Sequence, residues 1–371
     1  MKKIIYMLIL IFLLPSVAFS TTFDIKDIAN QIQIEDNEFL ENMDIEEMLV
    51  DLQKGDFSFD YKKVYASIGD FIFREIKSCF PLIIQIIAIA ILGALIKNLQ
   101  DSFDSGGVAE IGFYVTYILV ITLVVSSFVQ AIDIAKDTVS SLMGFMQALL
   151  PVLISLMVAT GCVVSSSAIY PVIIVATQTI SNTVVNFIIP LILLAFTIGI
   201  VGNVSEKINV KGLSKGMKSF AVWVLGVILT VFVGIMTIEG TMASSVDGIT
   251  VKTAKFMFSN GIPVVGKILG DSVDTILGSS LILKNAVGVI GVIVIFVLGA
   301  VPLLKICAVI VMYTLAVAII EPFTEKRIVT CINDTGGALK ILLGCVMGVE
   351  VMFLISVVTM MKMANVSMML R

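Results

Sequence analysis

The sequence predicts an all-α membrane protein, a polytopic bundle of transmembrane helices preceded by a cleaved signal peptide. Of its 371 residues, 58% are hydrophobic and 14% are charged, whereas soluble domains are about half apolar and a quarter charged. Apolar runs close to the roughly twenty residues that cross a bilayer recur along the chain. A charged interval with helical apolar spacing lies between two of them, which adds short interfacial or re-entrant helices to the prediction.

Residues 1–20 have the parts of a secretory signal peptide. Lys2 and Lys3 form the charged region, residues 4–14 form the apolar core, and small residues precede a cleavage point after Ser20. The alternative is an uncleaved first membrane helix, but the apolar run is shorter than a span needs. The mature N-terminus is therefore expected outside the cytoplasm.

Residues 21–77 form an acidic region in which apolar residues recur at helical spacing. Within it, residues 21–75 hold 14 of the 28 acids but only five Lys or Arg. The region is expected to be helical and extracytoplasmic. It is either a docking module for a partner or a solvated helical face that leads into the bundle.

Nine apolar segments follow, each near the length of a membrane span. The fourth and fifth are hardly separated, as are the seventh and eighth, so each pair is either a helical hairpin or one long broken helix. We expect eight spans, plus or minus one, in a first group at 78–238 and a second group at 286–371. The segments are residues 78–96, 111–132, 142–160, 163–181, 183–202, 219–238, 286–304, 306–320 and 340–361.

The loop at residues 203–218 predicts the orientation of the chain. It carries four lysines against Glu206 alone, and an excess of positive charge is typical of cytoplasmic loops. Five spans, counted from an external start, also place this loop in the cytoplasm. The loop at residues 321–340 has balanced charges and does not decide the orientation of the last third.

Residues 239–285 are expected to form two short helices. Ser244 followed by Asp247 resembles a capping box, residues 260–263 contain Gly and Pro that break a helix, and Asp271 can cap a second helix. The arrangement fits either a re-entrant hairpin shielded by protein or a structured external loop on the membrane surface.

Glu350 lies midway along the last apolar segment, where a carboxylate is costly and indicates a functional site. Gly344 and Gly348 give the same helix a face for close helix contact, and Glu350 points roughly away from Gly348. We predict protein on one side of this helix and a polar cavity or a second subunit on the other. Lys305 is a candidate ion-pair partner. Alternatively, a protonated Glu350 is bonded to a neighbouring carbonyl.

Three amides also lie on one helical face, since Gln178, Asn182 and Asn186 recur at every fourth residue. They either line a conduit or form hydrogen bonds between helices.

The composition argues against several classes of function. The chain has no histidine, which excludes Ser-His and Cys-His catalytic pairs and histidine metal sites. It has no GxxxxGK[ST] motif of its own for ATP hydrolysis, and its five cysteines fit no metal or redox spacing. A pI of about 5.0 without a basic tract argues against nucleic acid binding. We therefore expect no enzyme activity, catalytic residue, cofactor or metal.

Several segments of the chain resemble the stage III sporulation protein AE family, and the resemblance covers nearly the whole chain. The segments that carry it are Thr253 to Phe256, Ile262 to Lys267, Asp274 to Ile276, Leu283 to Gly288 and the ending Ala364 to Arg371. Because the resemblance is densest in the central charged interval, it marks Lys255, Gly261, Pro263, Lys267 and Asp274 as candidates for a conduit or its docking surface.

The resemblance implies a protein of the mother-cell membrane that surrounds the engulfed forespore. It implies membership of the channel or feeding-tube complex between the two cells. The partners implied are other stage III sporulation A proteins, including the secretion-type ATPase and the ring-forming proteins, and the forespore Q protein. We also expect contact with membrane lipid, and a homo-oligomer.

Two alternatives to a conduit or export gate stay open. One is an independent secondary transporter with Glu350 as its coupling group. The other is a scaffold that recruits partners through residues 21–77 and conducts nothing.

Overall fold

The computed structural model describes residues 61–101, 106–204, 210–261 and 266–369, all within one compact unit, Ser58–Arg371. The signal peptide, most of the acidic region and Pro263 lie outside the described residues. The described part contains helices and no strand, which confirms the predicted all-α class. The helices are α1 (Tyr61–Asp101), α2 (Gly106–Ala159), α3 (Val163–Thr183), α4 (Ile189–Val204), α5 (Lys211–Gly261), α6 (Gly266–Ile320) and α7 (Lys326–Met369), with a π-helical turn (Val184–Ile188) between α3 and α4.

Six helical stretches of the described chain are long and apolar enough to cross a membrane, fewer than the eight spans expected. The difference arises because neighbouring apolar segments join into continuous helices. The segments at 111–132 and 142–160 both belong to α2, and those at 286–304 and 306–320 both belong to α6. A few charged residues interrupt the hydropathy there without interrupting the backbone hydrogen bonds. The segments at 163–181 and 183–202 also join, through α3, the π-helical turn and α4. Three joins thus reduce the nine segments to six stretches, and each close pair forms one long helix instead of a hairpin.

The central segment, residues 239–285, does not form two separate short helices. Its first half continues α5 to Gly261, and its second half belongs to α6, which begins at Gly266. The expected break at residues 260–263 falls mostly on residues 262–265, which lie outside the described residues, whereas helix starts at Ser244 and Asp271 are absent from the described helices. The side chain of Ser244 lies outside the described ones.

Antiparallel packing of α6 with α7 organises the bundle. Gly288 of α6 faces Met361 of α7, and Gly299 of α6 faces Glu350 of α7. α7 also contacts α5, α2 and α4. The glycines on α6 let the two backbones approach closely, as small residues do between membrane helices.

The long helix α2 runs beside α6 in the same antiparallel sense. Leu149 packs on Gly291, and the hydroxyls of Ser127 and Tyr313 are in contact. Because both pairs of residue numbers add up to the same total, the two helices keep one register between these contacts.

Helices α1 and α5 present apolar side chains on the outside of the bundle. They include Phe80, Ile84 and Leu92 on α1 and Trp223 and Val231 on α5, each between 50% and 63% exposed. Such faces suit contact with lipid.

Candidate functional site

Glu350 is buried between α6 and α7, with 6% of its surface exposed. A Cβ placed on Gly299 would lie 2.3–2.7 Å from the carboxyl atoms of Glu350, so only glycine leaves room for this side chain. Among the described residues, no hydrogen bond or ion pair of Glu350 is found. Lys305, the partner that the sequence suggested, makes no ion pair with it.

Pro302 gives the Glu350 site a possible acceptor. Proline has no N–H, so the carbonyl of Leu298, four residues earlier in α6, lacks its helical donor. Leu298 directly precedes Gly299, against which the Glu350 carboxyl packs. A protonated Glu350 would have this acceptor one residue from its contact with Gly299, but no hydrogen bond to it is found among the described residues, so the carbonyl-bonded alternative stays a prediction.

The two glycines of the predicted contact face have different surroundings. Gly348 faces α5, where a Cβ would lie 2.8 Å from Leu229 Cδ1, whereas Gly344 is exposed with nothing within 4 Å. Glu350 and Gly348 thus both meet helices of the same chain. The sequence predicted a polar cavity or a second subunit beside Glu350. Among the described residues, α6 of the same chain lies there instead.

The central candidates are described only by their backbone. Lys255 lies in α5, Gly261 ends that helix, and Lys267 and Asp274 lie in the first part of α6. Their side chains, like all of Pro263, lie outside what the structure describes. Their suggested role in a conduit or docking surface stays a prediction.

Asp247 of α5 caps a helix distant in sequence. The backbone N–H groups of Val164 and Ser165, in the first turn of α3, donate to its two carboxylate oxygens at 2.9 Å each. The side chain is 1% exposed. These N–H groups have no partner within their own helix, so the carboxylate satisfies them and the helix dipole favours its charge. The sequence contains no signal for such a distant cap.

Lys284 of α6 is a second buried charge that the sequence analysis did not single out. Its ammonium donates to the Met361 carbonyl of α7 at 2.7 Å, and the residue is fully buried. Beside it, Asn285 donates to Asn365 Oδ1 at 3.3 Å. These four residues form the α6–α7 polar cluster, which fastens the two helices at one end.

A second group, the α4–α5–α7 polar cluster, comprises Asn203, Lys218 and Asp334. Asn203 Nδ2 donates to Asp334 Oδ2 at 3.2 Å, and the Lys218 ammonium donates to the Asp334 carbonyl at 3.1 Å. The cluster joins the end of α4 to the third turns of α5 and α7.

The two polar clusters lie about one bilayer thickness apart. Along α7, Asp334 and Met361 are about 40 Å apart, close to the roughly 40–45 Å of a bilayer with its headgroups. Glu350 is then about 24 Å from Asp334 and about 16 Å from Met361. The carboxyl of Glu350 therefore lies between the levels of the two clusters and well away from both.

The exposed side of α2 carries a row of polar side chains, here called the α2 polar stripe. From residue 126 to residue 147, Val129 is the single exposed position with an apolar side chain. The exposed positions are Ser126, Val129, Gln130, Asp133, Asp137, Ser140, Ser141, Gly144 and Gln147. This range is about 32 Å long, which matches the hydrocarbon thickness of about 30 Å.

The two aspartates of the stripe lie between the levels of the two polar clusters. In the register between α2 and α6, Asp133 and Asp137 are level with residues 303–307 of α6, within about 12 Å of Gly299 along the helix. The hydropathy of the chain does not predict the stripe, because the apolar segments at 111–132 and 142–160 leave residues 133–141 as a loop between two spans. Its signal was present as polar residues at a spacing of three and four.

The amides of Gln178, Asn182 and Asn186 are all exposed. No hydrogen bond between helices involves them within the described part of the chain, which favours a role on an outer surface over the bonding alternative. The tight α2–α3 turn around Gly161, whose φ is 80°, places Asn182 near the height of Ser140.

Most of the chain matches a known family. The family model described as Stage III sporulation protein AE (spore_III_AE) matches residues 43–364. The Stage III sporulation protein AE of Bacillus subtilis (strain 168) is 30% identical over 323 residues, covering 87% of this chain and 81% of that protein. No solved structure matches the chain.

Proposed function

The chain belongs to the stage III sporulation protein AE family, and from this premise we propose that it contributes to the conduit or export gate of a channel complex between mother cell and forespore. The family supports a role in sporulation, and the six apolar helices indicate a multi-pass membrane protein. Within this proposal the chain sits in the mother-cell membrane around the forespore. Its partners are other stage III sporulation A proteins, including the ATPase and ring-forming proteins, and the forespore Q protein.

The observation that carries the proposal is the α2 polar stripe. Charged side chains at hydrocarbon depth are expensive and face protein or a water-filled cavity rather than lipid. The stripe is exposed over about the full hydrocarbon thickness. A surface of this kind fits the wall of an aqueous path, whereas a scaffold that conducts nothing has no need of it.

The proposal is tested by making the stripe apolar in sporulating cells that lack the natural gene. Asp133, Asp137 and Gln147 are replaced together by leucine, and spore maturation and exchange of a small dye between the compartments are scored. We expect a membrane-inserted protein, loss of dye exchange and arrested spores. The matched control replaces Thr230 and Thr237, exposed on the apolar face of α5, by leucine and should support normal spores. Normal maturation with the apolar stripe would overturn the proposal.

The buried carboxyl of Glu350 favours a second candidate, an independent secondary transporter. Glu350→Gln keeps the shape and hydrogen-bonding capacity of the side chain but cannot release a proton. A proton-coupled transporter would lose spore formation with this substitution, and the purified wild-type protein would move solute in liposomes without partners. A conduit or a scaffold would tolerate the substitution, since neither role uses proton release.

A further inference from the structure

The α2 polar stripe lies on the outside of the chain. The opposite side of α2 packs inwards, where Leu149 contacts Gly291 of α6 and Phe128 stacks on Phe196 of α4 with ring centroids 3.9 Å apart. Among the described helices, none covers Asp133 or Asp137, which are both exposed. The described helices of one copy therefore supply part of a polar wall but do not enclose a path.

Lipid is an unsuitable cover for this face. The Asp133 and Asp137 carboxylates lie within about 12 Å of the Glu350 level, where contact with hydrocarbon is costly. The apolar outer faces of α1 and α5, with Phe80 and Trp223, are the ones that suit lipid. The chain thus has apolar outer faces on α1 and α5 and a polar outer face on α2. Such a division is expected of one subunit in a ring that surrounds a water-filled space.

We propose that several copies of this chain assemble side by side, with their α2 polar stripes around one water-filled space. This inference rests on the proposed function and names the partner that completes the conduit. Rotation about an axis normal to the membrane keeps every residue at its own height. The stripes of identical copies therefore have equal length and lie at equal depth. Together they form a polar wall that crosses the whole hydrocarbon layer.

The chemistry of the stripe fits copies that face each other across water. Asp133 and Asp137 would repel their counterparts in dry contact, but water between them weakens that repulsion. Next to them, Ser140, Ser141 and Gly144 are small and leave room for solvent. The hydroxyl and amide groups of the stripe both donate and accept hydrogen bonds, so they are satisfied by water or by the same groups of a neighbour.

The test places a cysteine at Ser140 of the full-length protein and produces two differently tagged forms in the same sporulating cells. The native chain serves as the blank, and Thr230→Cys on α5 is the lipid-facing control. We expect Ser140→Cys to react with a hydrophilic thiol reagent and to form covalent dimers that carry both tags. Thr230→Cys should do neither and should react with a lipid-soluble reagent. Support of normal spores by both variants checks that they fold.

The outcomes separate this inference from the proposed function. If Ser140→Cys reacts with the hydrophilic reagent but no product carries both tags, the second copy is ruled out and the aqueous path stands. A cross-link to a protein of different mass, without a doubly tagged product, would replace the second copy with another partner. Reaction with the lipid-soluble reagent alone would show that the stripe faces lipid, and both the inference and the proposed function would fail.

Discussion

Gly299 and Glu350 show at the residue scale how one missing side chain creates a site. The Glu350 carboxyl occupies the space that a Cβ on Gly299 would need, with distances of 2.3–2.7 Å. A glycine inside a helix costs about 1 kcal/mol relative to alanine, so its presence here is explained by the room it leaves. The sequence pointed to Glu350 by its depth alone, but it could not show which helix Glu350 meets.

We expect Gly299→Ala to destabilise the protein by about 1–3 kcal/mol, because the added methyl group overlaps the carboxyl of Glu350. The measurement is thermal unfolding of the purified protein in detergent. Gly344→Ala is the matched control on α7, where a Cβ meets nothing within 4 Å, and it should leave the protein as stable or more stable. Adding Glu350→Ala to Gly299→Ala should recover part of the loss. Equal effects of the two glycine substitutions would contradict the close contact.

Asp247 shows at the scale of elements why a local motif can mislead. The sequence around Ser244 and Asp247 fits a capping box, yet α5 runs without a break from Lys211 to Gly261. The carboxylate instead caps α3, whose first residues are more than 80 positions away. Gly-Pro content can predict a helix break near Gly261 because that signal is local, while a cap in another helix depends on tertiary packing.

We expect Asp247→Ala to remove the cap of α3 and to make its first turn less stable. Loss of a buried acceptor leaves the N–H groups of Val164 and Ser165 unsatisfied, at a cost of about 1–3 kcal/mol. Hydrogen exchange measured on peptides that cover residues 163–170 should become faster. Asp137→Ala, which removes an exposed carboxylate without a hydrogen bond in the described structure, should leave that exchange unchanged. Unchanged exchange in both variants would show that the cap is unimportant.

The number of spans decides the topology at the scale of the whole molecule. Composition and hydropathy were sufficient to predict an all-α, multi-pass protein. They could not distinguish a hairpin from a continuous helix. Charged residues such as Asp133 and Lys136 lower the local hydropathy equally, whether they lie in a loop or within a long helix. The loop near Lys211 keeps its cytoplasmic assignment, since three crossings from an external start end on the same side as five.

The turn at Thr160–Cys162 separates the two topologies. From an external start, the two crossings that precede it in the structure predict a position outside the cytoplasm, whereas the three crossings predicted from the sequence put it inside. We expect a cysteine at Val163, which is 55% exposed, to react with a membrane-impermeant reagent in intact protoplasts. A cysteine at the exposed Lys211 should react after permeabilisation alone. The reverse pattern would restore the larger number of spans.

The length of α5 has a mechanical consequence. From Glu239, where its apolar part ends, the helix continues to Gly261, a distance of about 33 Å. Asp247 fastens this extension to α3 near the turn at which α2 ends. The extension is therefore held to α3 near the end that adjoins the apolar part, and a long part of the helix continues beyond that contact. A force on its far end would load the Asp247 contact first and pass through the turn into the helix that carries the polar stripe.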